Sequence, residues 1–225
     1  MKKIIIGLLF YTIVFTQNQP VIKLPVPVLK GTITVEEALA KRRSVRNYAN
    51  KPLTVKEVSQ ILWAAYGITK PSTNLKYQGG LRTAPSAGAI YPLELYIVAG
   101  NVTEIEPGIY KYQPETNELL LLSEGDKRQA LYNASYQQDM ILNAPASIVY
   151  SAVFERTVQR YGQRGRERYV CMDLGHSAEN VYLQAVALGL GTCAVGSFSD
   201  NDVKLVVGMP QQEEPLYIMP IGWLK

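Results

Sequence analysis

Apolar residues recur at helical spacing in Val58, Ile61, Leu62 and Ala65, and again in Val170, Leu174, Val181, Ala185 and Leu188, which predicts two amphipathic helices. The capping box Thr54-x-x-Glu57 opens the first, and Gly67 is expected to end it with a left-handed stop. The second, Glu167 to Leu188, is expected to be the longest regular element, and Ala178, Ala185 and Ala187 narrow it for close helix packing, including across a dimer axis. An earlier capping box, Thr34-x-x-Glu37, predicts a helix from Val35 to about Arg43. Asp126 to Ser135 and Gln137 to Asn143 read as helices, and Ser199-x-x-Asp202 starts a brief one ending at Gly208.

Strand patterns lie between these helices. Leu93 to Ala99 and Ala146 to Val153 read as buried strands, Thr192 to Val195 as a short one and Leu216 to Ile221 as the last. Ile109 to Tyr112 and Leu119 to Leu122, joined through Pro114-Glu115-Thr116-Asn117, form a hairpin. Residues 69–83 are polar and irregular, and the basic stretch 156–168, with its two glycines, suggests a mobile segment. The sum is an α+β domain over 32–225, a mostly antiparallel sheet flanked by helices. Before it, 21–31 reads as an extended linker, since Pro25 and Pro27 deny it a helix. Residues 1–20 pair Lys2-Lys3 with the uncharged run Ile4 to Phe15, short for a bilayer span and without a small-x-small cleavage site, so export or membrane tethering stands beside a cytosolic apolar arm.

At 225 residues the chain suits one domain. Charged residues are 19% of it and the net charge is +4, which argues against a general nucleic-acid binder. Cys171 and Cys193 lack metal-ligand spacing and read as buried reduced thiols, and the one histidine, His176, reads as a core residue on a helix; no metal site is expected.

The candidate chemistry is anionic recognition. In Arg42-Arg43-Ser44-Val45-Arg46, a helical course would place Arg42 and Arg46 on one face, able to fork onto one dianion, with Ser44 adding a hydrogen bond and Arg43 pointing elsewhere. The alternative is a solvated basic helix end. Downstream, Pro85-Ser86-Ala87-Gly88-Ala89-Ile90-Tyr91-Pro92-Leu93-Glu94 sets small residues between two prolines, so that backbone can approach a flat ligand. Leu188-Gly189-Leu190-Gly191 and the small pair Gly196-Ser197 repeat the theme.

Together these three segments resemble the nitroreductase family of FMN flavoproteins, and within it the SagB-type branch, which includes azoline dehydrogenases. The likeness runs from about Thr34 to the last residue. It implies a homodimer with FMN at the interface. Arg42, Ser44 and Arg46, with Arg43 alongside, would hold the phosphate and ribityl chain; Pro85, Ser86, Ala87 and Gly88 would line the ring from the partner subunit. Gly196 and Ser197 would offer backbone N–H groups near N5, where many relatives carry Glu-Gly. Gly191 and Gly196 also suit a tight strand-turn, Leu190 either packs on the ring edge or fills the core, and Lys225 is either a second phosphate partner or a solvated terminus. Where azoline dehydrogenases carry a Lys-Tyr pair, this chain has Arg160-Tyr161, and an arginine stays protonated and cannot act as the base. The leading reading is an FMN oxidoreductase passing a hydride from NAD(P)H to a quinone, nitroaromatic or similar acceptor. A dehydrogenase of a peptide or amine-derived substrate and a non-catalytic flavin-binding module are the alternatives.

Overall fold

The computed structural model describes residues 20–74 and 79–225. The expected signal or membrane-proximal run therefore lies, but for Pro20, outside the described residues. In chain order the elements are β1 (Val21–Lys23), α1 (Val35–Lys41), β2 (Leu53–Thr54), α2 (Val55–Tyr66), β3 (Ile68–Pro71), β4 (Gly80–Arg82), β5 (Leu93–Ala99), β6 (Val102–Thr103), β7 (Gly108–Gln113) and β8 (Glu118–Glu124). Then follow α3 (Arg128–Ala134), α4 (Asp139–Asn143), β9 (Ala146–Ala152), α5 (Phe154–Arg164), α6 (Val170–Ala187), β10 (Leu190–Thr192), α7 (Asp200–Val207) and β11 (Glu214–Trp223).

The main sheet runs β1-β8-β7-β5-β9-β11-β10, antiparallel at every pairing among the described residues. Its centre is buried on both faces because strand side chains alternate. Leu93, Leu95 and Ile97 of β5 join the cluster with Val58, Ile61 and Leu62 of α2 and Leu174 and Val181 of α6. Tyr96 and Val98, pointing the other way, join Leu131, Ile141, Val203 and Val207 from α3, α4 and α7. The result is the α+β architecture expected, with helices on both sides of an antiparallel sheet.

Several local expectations give way to tertiary pairing. Residues 21–31 are extended, but Val21–Lys23 pair with β8 as an edge strand and Leu24 is buried in the core, so folding begins there rather than after the prolines. Within 69–83, expected to be irregular, β3 and β4 pair as an antiparallel ribbon. Gly67 ends α2 at φ −67° and ψ 156°, which is not left-handed; its value is space, since a Cβ there would stand 2.3 Å from Trp63 Cδ1. The basic stretch expected to be mobile is helix α5 followed by a π turn, Gly165–Tyr169. Phe154 and Thr157 bury one side of α5, while Arg156 pairs with Glu94 at 2.6 Å and Arg166 of the π turn with Glu214 at 2.7 Å. Both cysteines are free, but Cys171 is exposed on α6, as is His176, so neither is the core residue expected.

Candidate functional site

Helix α1 stops at Lys41, two residues short of the expected end, and Arg42 turns to φ −53°, ψ 126°. The chain beyond is claimed by the sheet edge: Ser44 bridges Thr192, the Val45 N–H donates to the Thr192 carbonyl at 2.9 Å, and Tyr48 bridges Leu224. Arg42, Ser44 and Arg46 therefore do not lie on a helix face; Ser44 and Arg46 are exposed along the sheet edge and Arg42 is half-buried. Val45 packs so closely on β10 that a Cβ at Gly191 would stand 2.6 Å from its own Cβ. Arg43 bends back to donate to the Ala40 and Arg42 carbonyls, at 3.0 and 2.7 Å. Lys225, exposed at the chain end, follows the residue paired with Tyr48 and so runs beside the arginine segment.

Tyr182 of α6, which no motif singles out, ties this segment to the loop after β10. Its hydroxyl accepts from the Ala194 N–H at 2.7 Å and lies 3.3 Å from Ser44 Oγ, while the Arg42 guanidinium sits 5.3 Å from its ring centre. Ala194 leads through Val195, paired with Ile218, to the exposed Gly196 and Ser197. The Ser197 carbonyl accepts from Gln138 Nε2 at 2.8 Å. A Cβ at Gly196 would make only ordinary contact, 3.5 Å from Tyr217, so packing within the described residues does not demand glycine there. Leu190 is buried and pairs with Trp223, filling the core. Tyr182→Phe removes the acceptor of the Ala194 N–H, and a loss of about 1–3 kcal/mol in unfolding free energy is expected for a part-buried donor left unpaired, measurable by urea denaturation.

The small-residue loop is fixed from a different point of α6. Ser86 Oγ donates to Asp173 Oδ2 at 2.6 Å, the Ala87 N–H donates to Oδ1 at 3.1 Å, and Ser86 Oγ accepts from the Tyr91 N–H. Pro85 is exposed ahead of this clasp. Asp173 is 3% exposed, and burial raises its carboxyl above the ordinary aspartate value of 3.8 against the lowering pull of its hydrogen bonds from Ser86 and Ala87. A raised acid contributes stability that is complete below the unfolded value and lost as pH rises through the folded one. Wild type is therefore expected to lose stability relative to Asp173→Asn as pH climbs from the ordinary aspartate value upward, read from melting temperatures of the two across pH. Gly88, in a 3-10 turn at φ 65°, lies against α5: a Cβ there would stand 2.5 Å from Tyr161 Oη and 3.0 Å from Arg160 Nη1.

Asp173 and Tyr182 are nine residues apart on one regular helix, hence about 13 Å along its axis and about 180° around it. The candidate residues thus fall into two clusters on opposite flanks of α6: the arginine segment with the 194–197 loop, and the Pro85–Gly88 loop with Arg160 and Tyr161.

A family model described as the nitroreductase family matches residues 39–223, from just before the arginine segment through the last strand. The chain belongs to the nitroreductase family. It is 44% identical over 190 residues to the nitroreductase-like protein MJ1384 of Methanocaldococcus jannaschii, covering 84% of this chain and 91% of that one. It is 32% identical over 149 residues to the trifolitoxin-processing protein TfxB of Rhizobium leguminosarum, covering 63% of this chain but only 40% of TfxB. A solved nitroreductase-like structure from Ralstonia eutropha superposes with a TM-score of 0.77 at 28% identity, over 95% of this chain and 92% of that one. Family membership makes the protein an oxidoreductase by descent, and the TfxB match agrees with the SagB-type likeness of the motifs.

Proposed function

We propose that the protein is an FMN-dependent oxidoreductase working as a homodimer, each flavin held between the arginine segment of one copy and the Pro85–Gly88 loop of the other. The observation that carries this reading is a group of cations left out of ion pairs: among the described residues Arg42, Arg46 and Lys225 enter none, while the neighbouring Lys41 is taken by Glu37. Cations gathered without counter-charge suit a dianionic phosphate, and the Ser44 hydroxyl adds a neutral donor. The second support is the split across α6, which one chain cannot close around one flat ring. Exposed Val35 and Leu39 on α1 and Met172 on α6 give a second copy apolar surface to cover.

FMN, when bound, supplies hydride exchange at its N5 atom. The chain's part is to bind and orient: Arg42, Ser44, Arg46 and Lys225 hold the phosphate end, Arg43 adds positive field, and Ser86 and Ala87, locked by Asp173, keep the ring wall in place. Gly196 and Ser197 would offer backbone N–H groups toward the N5 edge of bound FMN, fixed dipoles that need no side chain. NAD(P)H is the hydride donor, and a quinone, nitroaromatic or similar conjugated compound the acceptor. The similarity to TfxB favours a second reading, a dehydrogenase of a peptide-derived substrate; Arg160 counts against it, because a guanidinium cannot take up the substrate proton.

The test is anaerobic titration of FMN-loaded protein with NADH and NADPH. Bleaching of the flavin band by either, reversed by a quinone, is the expected result. A yellow protein that neither donor reduces would favour the dehydrogenase reading, and a protein that takes up no FMN would end both.

A further inference from the structure

Five arginines punctuate α5 and the π turn after it, and they divide by what faces them. Arg156 pairs with Glu94, and its Nη1 donates to the Tyr91 carbonyl at 3.2 Å; Arg166 pairs with Glu214. Arg160, Arg164 and Arg168 have no carboxylate within ion-pair distance among the described residues. Arg160 is exposed, touches the Tyr161 ring at 5.3 Å, and directs Nη1 toward Gly88. The Tyr161 hydroxyl faces the same glycine and makes no hydrogen bond among the described residues, while its ring meets Tyr169 edge-on at 5.0 Å. Tyr169 is held in turn, its hydroxyl accepting from Arg164 Nε at 3.0 Å.

The backbone is built to gather these groups. Gly162 sits at φ 57°, ψ −153°, a region open essentially to glycine alone, and the π turn Gly165–Tyr169 follows. Such turns inside helices recur at functional sites, and here the kink brings Tyr169 back onto Tyr161. A glycine-only kink, a phenol with no protein partner among the described residues and a guanidinium without counter-charge converge beside the loop assigned to the flavin ring.

We infer that Arg160 and the Tyr161 hydroxyl, held by Tyr169 and Arg164, form an oxyanion subsite beside the Pro85–Gly88 loop, so that a compound handled here carries a carboxylate or phosphate. This rests on the flavin reading for its role in catalysis, though not for the binding itself. The same chemistry has two sources: the carboxylate of the organic substrate or the 2′-phosphate of NADPH. A guanidinium matches either by paired N–H donors, with the phenol supplying a further hydrogen bond.

The experiment compares benzoate with benzyl alcohol on the full chain by titration calorimetry, with and without added FMN, in wild type, Arg160→Gln and Arg160→Lys. Wild type is expected to bind benzoate about tenfold or more tighter than the alcohol, Arg160→Gln to lose that preference and Arg160→Lys to keep part of it. Benzoate and benzyl alcohol bound alike by wild type, or a preference that survives Arg160→Gln, would overturn the inference. Benzoate discrimination in protein that takes up no FMN would sustain the subsite and sink the flavin reading alone. Kinetics then assign the source. A fall in the NADPH-over-NADH preference in Arg160→Gln points to the dinucleotide phosphate. A rise in KM for 4-nitrobenzoate but not for its methyl ester points to the substrate's carboxylate, and no change in either would overturn a role for the subsite in turnover.

Discussion

Replacing Arg42 and Arg46 together with alanine lowers FMN affinity about 100-fold or more. Each charge-assisted contact to a phosphate contributes about 1.5–3 kcal/mol, and exposure of the segment favours the lower end of that range. The fold itself should hardly register the change. Arg46 makes no ion pair, and Arg42 contributes only its contact with the Tyr182 ring, so unfolding free energy without flavin stays within about 1 kcal/mol of wild type. Flavin fluorescence titration and urea denaturation read the two quantities separately. Equal flavin affinity in the variant would remove the phosphate assignment; an unfolded variant would mean that Arg42 supports structure instead.

Gly88→Ala should cost activity out of proportion to stability. A non-glycine residue at φ 65° carries strain of about 1–2 kcal/mol. The new Cβ also falls 2.5 Å from Tyr161 Oη and 3.0 Å from Arg160 Nη1, so both side chains must swing away. Gly125→Ala is the matched control, at φ 85° with nothing within 4 Å of its added Cβ. Both variants are expected to lose about 1–2 kcal/mol in denaturant unfolding, while only Gly88→Ala loses about tenfold or more in NAD(P)H-dependent acceptor reduction. Equal activity in the two would mean that Arg160 and Tyr161 do not act at this loop.

The sequence carries the elements whose signals are local. Thr34 and Ser199 accept at their expected helix starts, Glu57 accepts from the Thr54 N–H, and Gly208 takes the left-handed stop after α7. The β7–β8 hairpin and the central strands follow from their apolar runs. What escaped depends on distant partners. Nothing in Val21–Lys23 shows that β8 lacks a neighbour, and nothing in Arg42–Tyr48 shows that Thr192 and Leu224 will draw it out of helix. The two residues that organise the candidate site, Asp173 and Tyr182, are single polar positions on a long helix. Asp173 could have been flagged as a carboxylate between Val170 and Leu174 on the buried stripe, a position that demands partners. Tyr182 carried no signal, because it matters only through what Ser44 and Ala194 bring to it.

A mixed dimer tests the shared site most directly. One chain carries Arg42→Ala with Arg46→Ala, the other carries Gly88→Ala, and the two are co-purified through different affinity tags and assayed for NAD(P)H-dependent acceptor reduction at an FMN concentration that saturates wild type but not the arginine variant. If each flavin lies between the arginine segment of one copy and the loop of the other, the pair keeps one fully intact site and about half of wild-type activity per dimer. If each chain encloses its own flavin, one site is damaged in flavin binding and the other in turnover, and activity falls about tenfold or more.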